Sequence, residues 1–137
     1  MAKKTGRKKP SRKTLVKKLD KIVSLYIRLR DEMCVVCEST EKLTNGHLFS
    51  RYSYSTRWDI SIDGNCHTQC WGCNYRHEYD PYPYTNWFIE KFGKDRWDEV
   101  HRDFKGSKRY SNSQLQELYD EVKELHDQLY ESKKYQF

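Results

Sequence analysis

Long apolar runs are missing from this chain of 137 residues. No stretch approaches the roughly 20 consecutive apolar residues that a membrane-spanning helix needs. No apolar segment stands near the start either; the opening residues are polar and basic, unlike a secretory signal. Apolar residues are scarce overall, at 36% hydrophobic against 34% charged. The core is therefore expected to be modest and to need a staple such as a structural metal. There is no internal repeat and no recognisable target-reading module. These absences lead us to expect an intracellular, cytoplasmic protein held reduced, with no membrane partner, in which paired cysteines hold a metal rather than form disulfides.

Cations and aromatic residues are plentiful. Aromatics reach 15%, with eleven Tyr and four Trp, which serve a core and can also stack on bases. Formal net charge is +6, and seven of the first thirteen residues are basic: Lys3, Lys4, Arg7, Lys8, Lys9, Arg12 and Lys13. The remainder is near neutral. A basic arm on a neutral body points to a polyanion, DNA or RNA; the plainer reading is a solvated tail. The expected organisation is a flexible arm over 1–13 and one domain over 14–137. That domain divides into a helix at 14–33, a zinc core at 34–80 and a helical extension at 81–137.

Cysteine is concentrated in one stretch. Cys34-Val35-Val36-Cys37 and Cys70-Trp71-Gly72-Cys73 stand 32 residues apart. Two such pairs supply four thiolates to one tetrahedral ion, usually Zn²⁺. Cys66 is left over and is expected to be a small buried thiol. Around these pairs the pattern predicts α+β structure. A helix runs from about Ser11 to Glu32, with Leu15, Leu19, Ile22, Tyr26 and Leu29 at helical steps and Val16 and Val23 alongside. A short strand runs from Leu43 to about His47, and a returning strand covers Cys66 to Gln69. Residues 50–64 read as irregular. The second cysteine pair opens a short helix, broken by Pro81 and Pro83. Helices then cover Tyr84–Phe92, Asp95–Phe104 and a stretch capped by Ser111 or Ser113, striped by Leu115, Leu118, Val122, Leu125 and Leu129. A knuckle, a hairpin and a helix that donates the last two thiolates make a small treble clef, flanked by helices that pack on each other or on a second subunit.

Within that frame, His47 falls where its imidazole faces the first turn of the helix after Cys70. There it can take a proton from water as general base. Asn74 follows Cys73 directly and offers a carbonyl oxygen to Mg²⁺. His77, at i+3, shares its face as a further ligand. Asn65 can bond backbone on both sides of the loop behind His47. His67 either packs on the hairpin or replaces one of these ligands. Arg51 and Arg57 are candidate phosphate contacts, with pairing to local acids as the alternative.

These residues carry a resemblance. Gly46-His47-Leu48-Phe49-Ser50-Arg51, Thr56-Arg57-Trp58, Asn65-Cys66-His67-Thr68-Gln69-Cys70 and Cys73-Asn74 resemble the four-cysteine His-Asn-His, or ββα-metal, nucleases. More narrowly, they look like the phage recombination proteins called NinG or Rap, over about residues 34–93. The Cys73-Asn74 pair is also similar to recombination endonuclease VII. The resemblance implies a ββα-metal core and a structure-specific DNA endonuclease that cuts branched intermediates, Holliday junctions or D-loops, with Mg²⁺ or Mn²⁺. It makes His47 the base, Asn74 a ligand and the four cysteines structural. It also makes the chain phage-encoded, working in a host cytoplasm, with a homodimer as one possible state. One departure stands out: many such nucleases carry Asp directly before the His, and here that residue is Gly46. His67, His77 or Asp63 is the candidate replacement ligand. The rival readings are a nicking or site-specific nuclease of homing or restriction type, and a non-catalytic zinc protein that only binds nucleic acid.

Overall fold

Ser11 starts the first helix because its hydroxyl accepts the otherwise orphaned amide of Thr14, at 3.2 Å. In the computed structural model, which describes residues 9–135, this helix α1 runs Arg12–Asp31. It closes at Glu32, whose backbone is left-handed. Its buried face is Leu15, Leu19, Ile22, Val23 and Ile27. The expected stripe is thus rotated: Ile27 is buried, while Tyr26 and Leu29 are only half-buried. The cause lies in what packs there, since the Ile27 carbonyl accepts the Thr68 hydroxyl at 3.1 Å.

The antiparallel hairpin consists of β1 (Leu43–His47) and β2 (Cys66–Cys70), in register Leu43 opposite Cys70 and His47 opposite Cys66. Asp31 fastens it to the end of α1 by accepting the Thr68 amide at 2.8 Å. Arg30 adds bonds to the carbonyls of Ile60 and Cys66. Between the strands, the stretch read as irregular holds a one-turn helix, α2 (Tyr54–Arg57). Three further helices follow: α3 (Trp71–His77), α4 (Tyr82–Phe92) and α5 (Lys94–Lys105). The last, α6 (Asn112–Lys134), opens on a full capping box between Ser111 and Gln114.

Two apolar clusters hold these pieces. One joins α1 and α6 through Leu15, Leu19, Val23, Leu115 and Val122, with Trp58 and Cys66 beneath. The other joins α4 and α5 to the hairpin through Leu48, Tyr84, Phe88 and Val100. The flanking helices pack on each other within the chain. Arg12 bonds Asn112 at their starts and Lys133 bonds Glu32 at their ends, so α1 and α6 run parallel. Parallel neighbours need a long crossover, and the cysteine core with α4 and α5 is that crossover. No helix among the described residues is long and apolar enough to cross a membrane. Lys3, Lys4, Arg7 and Lys8 of the basic arm lie outside the described residues.

Candidate metal centre and active site

A tight knuckle brings Cys34 and Cys37 together, and β2 running straight into α3 brings Cys70 and Cys73. The four sulfurs lie within 4.8 Å of one another. Cys37 Sγ and Cys70 Sγ are 3.6 Å apart. A tetrahedral Zn–S bond of about 2.3 Å implies sulfurs about 3.8 Å apart, so the set fits such an ion. The amides of Cys37 and Cys73 point at the sulfurs of Cys34 and Cys70, at 3.4 and 3.5 Å. Burial opposes ionisation of Cys34, but the amides of Cys37, Cys70 and Val36 outweigh it and pull the thiol down to about 7. Burial and the neighbouring thiols push Cys73 up. Four thiols this close resist ionising together unless a cation shares their charge. Cys66 is different: it is fully buried, pushed up to about 12 chiefly by burial, and within reach of the Arg57 carbonyl at 3.4 Å. It is an inert core thiol.

Asn74, next after Cys73, opens onto a cavity of about 690 Å³, and His47 and His77 line it too, with Asn45, Arg51 and Glu78. His47 Nε2 lies 3.0 Å from the Arg57 carbonyl. A carbonyl only accepts, so Nε2 carries the proton and Nδ1 keeps its lone pair. Burial pushes the imidazole down to about 4, which keeps it neutral at pH 7. The accepting carbonyl is itself fixed. Arg57 forks onto Asp20 at 2.9 and 2.6 Å, and Trp58 bonds the same carboxylate at 2.7 Å. Arg57 is therefore committed to holding this loop on α1, and its guanidinium is not offered to a phosphate. Arg51 is exposed at the cavity rim.

Asn65 is fully buried; its oxygen accepts the Phe49 amide at 2.8 Å and its nitrogen donates to the carbonyls of Phe49 and Thr56. It pins the loop that follows His47 at two points, Phe49 and Thr56. Asn74 Nδ2 donates to Thr44 Oγ1 at 3.0 Å, leaving Oδ1 as its acceptor. His77 donates through Nε2 to the Leu48 carbonyl at 2.8 Å, and its Nδ1 is buried with no partner. Asn45 Oδ1 is likewise buried and unpartnered. Buried acceptors without a protein donor are satisfied by an ordered water or by a cation.

Two expected ligands lie elsewhere. His67 is buried among Trp87, Phe88 and Phe92. Its Nε2 donates to the Ile62 carbonyl at 2.8 Å, and its Nδ1 is 3.0 Å from the Tyr84 hydroxyl. Strand alternation explains this, because His67 pairs with Gly46 and so points to the face opposite His47. Asp63 is paired with Arg96 at 3.3 Å. Gly46 also gains a reason. A Cβ there would lie 2.2 Å from Gln69 Oε1, so the place of a preceding acid is filled by the Gln69 side chain. Sequence reasoning passed over Glu78 as a lining residue, although its place one turn after Asn74 was a usable signal. Asp20, distant in sequence, gave none.

The family model described as Bacteriophage Lambda NinG protein matches residues 1–132. The chain belongs to the NinG family. Neither the curated proteins nor the solved structures contain a match. For this NinG chain, membership covers the helices on both sides as well as the cysteine core, so the arm, α1 and nearly all of α6 belong to the family's extent.

Proposed function

We propose that this NinG-family chain is a metal-dependent endonuclease that hydrolyses phosphodiester bonds in branched DNA, built on a treble-clef, ββα-metal core with structural zinc. One observation carries the reading: a neutral, carbonyl-anchored His47 shares a cavity with His77 and with Asn74, the residue that follows the last cysteine of the four-cysteine cluster. His47 Nδ1 takes a proton from a water, and the oxygen of that water forms a bond to phosphorus. The bond from phosphorus to the 3′ oxygen breaks, and that oxygen leaves with a proton from solvent. Asn65 holds the loop that keeps His47 in register, and Arg51 offers a two-point contact to a neighbouring phosphate. Asn74 Oδ1, Asn45 Oδ1 and His77 Nδ1 would hold Mg²⁺ or Mn²⁺, which supplies charge stabilisation at the phosphate and the leaving oxygen. Gly46, crowded by Gln69, leaves no room for an acid at that place, so the ligands in this reading come from Asn45, Asn74 and His77.

The branched substrate is what the resemblance to phage recombination proteins implies, and the basic arm supports a nucleic-acid partner. DNA is the partner, and the host cytoplasm is the compartment. The test is a cleavage panel of four-way junction, fork, D-loop and linear duplex across a series of divalent metals. Preferential cutting of branched substrates with Mg²⁺ or Mn²⁺ supports the reading. Metal-dependent cutting of duplex at defined sequences replaces it with a site-specific nuclease. Tight binding with no cutting of any substrate replaces it with a zinc protein that only binds.

A further inference from the structure

A second concavity, of about 500 Å³, opens beside the candidate active site and plays no part in the chemistry above. One wall is Tyr52, Ser53 and Tyr54; the other is the end of α5 and the turn after it, with Lys105, Lys108 and Arg109. Among the described residues none of these three cations makes a salt bridge, unlike Lys94, Arg96 and Lys123, which are paired with acids. All three are exposed. Their turn is nonetheless held in place. Ser55 Oγ donates to the Gly106 carbonyl at 2.9 Å and accepts the Lys108 amide at 3.1 Å. Phe104, at the root of the turn, stacks on Phe49 of the active-site cavity with centroids 5.4 Å apart. The hydroxyl of Ser53 is buried with no partner. Lys108 Nζ stands over the Tyr110 ring at 5.0 Å, and none of the three has an acid among the described residues to neutralise it, so the fixed turn concentrates positive charge that attracts an anion.

The cleft is also continuous with the other cations. Ser50 and Arg51 line the active-site cavity, and the next three residues line the cleft. At the far wall, Arg12 stands over the Tyr54 ring at 5.8 Å, which brings the base of the N-terminal arm to the same place. We propose that this cleft is a second nucleic-acid contact, taking the phosphate backbone of the duplex that runs from the candidate active site toward Arg12 at the start of α1. It rests on the nucleic-acid reading above but not on cleavage. Backbone contact by point charges carries no sequence preference, so the cleft strengthens binding to any duplex arm equally.

The test is the triple variant Lys105→Gln, Lys108→Gln, Arg109→Gln in the full zinc-loaded chain, bound to a labelled four-way junction over a salt series. Each lost phosphate contact flattens the log–log salt slope by about 0.9, so the slope should be shallower by about 2 to 3. Weakening should be greatest at low salt. Lys123→Gln with Lys134→Gln on α6 should leave the slope unchanged, and a circular dichroism spectrum should match wild type for both proteins. Saturated cutting rates should be kept in the triple variant, with KM raised. If the wild type binds and the triple variant keeps its slope, the cleft proposal is overturned while the nuclease reading stands. If the wild type binds but never cuts, the nuclease reading falls and a flattened slope still supports the cleft. If the wild type binds no nucleic acid, both fall.

Discussion

His47, Gly46 and His67 sit within two paired strands, yet they have three different jobs. His47 is neutral and anchored, Gly46 leaves room for Gln69, and His67 is a core residue. Gly46→Asp tests the second of these. The new side chain meets Gln69, so we expect a loss of about 1–3 kcal/mol in urea denaturation. Adding Gln69→Ala should recover much of it; no recovery would show that the crowding lies elsewhere. The two histidines also predict a pH dependence. Both are held near 4 by burial, against about 6.5 in the unfolded chain. Between those values the unfolded chain binds more protons, so stability is full above about pH 6.5 and falls as pH drops toward 4. The linkage is on the order of 3 kcal/mol for each buried imidazole. Urea midpoints at pH 7 and 5, with zinc retention followed in parallel, should show the drop while zinc is still bound. A constant midpoint would contradict the neutral burial of both rings.

At the scale of elements, the helices and the hairpin were legible in the sequence because each has its own signal. Ser11 and Ser111 cap, Gly93 and Gly106 end helices, and the leucine spacing marks the faces of α1 and α6. The cysteine spacing located the knuckle and α3. Less was legible where the cause is tertiary. The α1 stripe turned toward Ile27 because β2 packs there, and α2 formed under the hold of Asp20 on Arg57 and Trp58. The same reasoning explains the site. Asn65, Asn74 and His77 could be placed by spacing, whereas the fate of Arg57 depended on an acid 37 positions away. Two predictions belong here. Leu19→Ala, at the buried seam of α1 and α6, should cost about 2–5 kcal/mol, and Tyr130→Ala, on the exposed side, should cost under about 0.5. Chelating the metal should strip hydrogen-exchange protection from residues 34–77 first, because the hairpin and α3 depend on the thiolates. Uniform loss across α1 and α6 would show that the seam depends on the metal as well.

For the whole molecule, the architecture is a parallel helix pair whose crossover carries a cysteine cluster, a cavity and a run of unpaired cations. Arg51 and the α5–α6 turn lie on that crossover, and Arg12 stands over the Tyr54 ring within it, so these cations and the cavity belong to one part of the chain. We propose that this cavity cuts DNA through His47. The direct measurement compares wild type and His47→Ala on a labelled four-way junction with Mg²⁺, at matched zinc content and matched junction affinity. The variant should bind as wild type does and cut on the order of 10²–10⁴-fold more slowly. Equal cutting by the two proteins, or cutting lost only in step with binding, would contradict it.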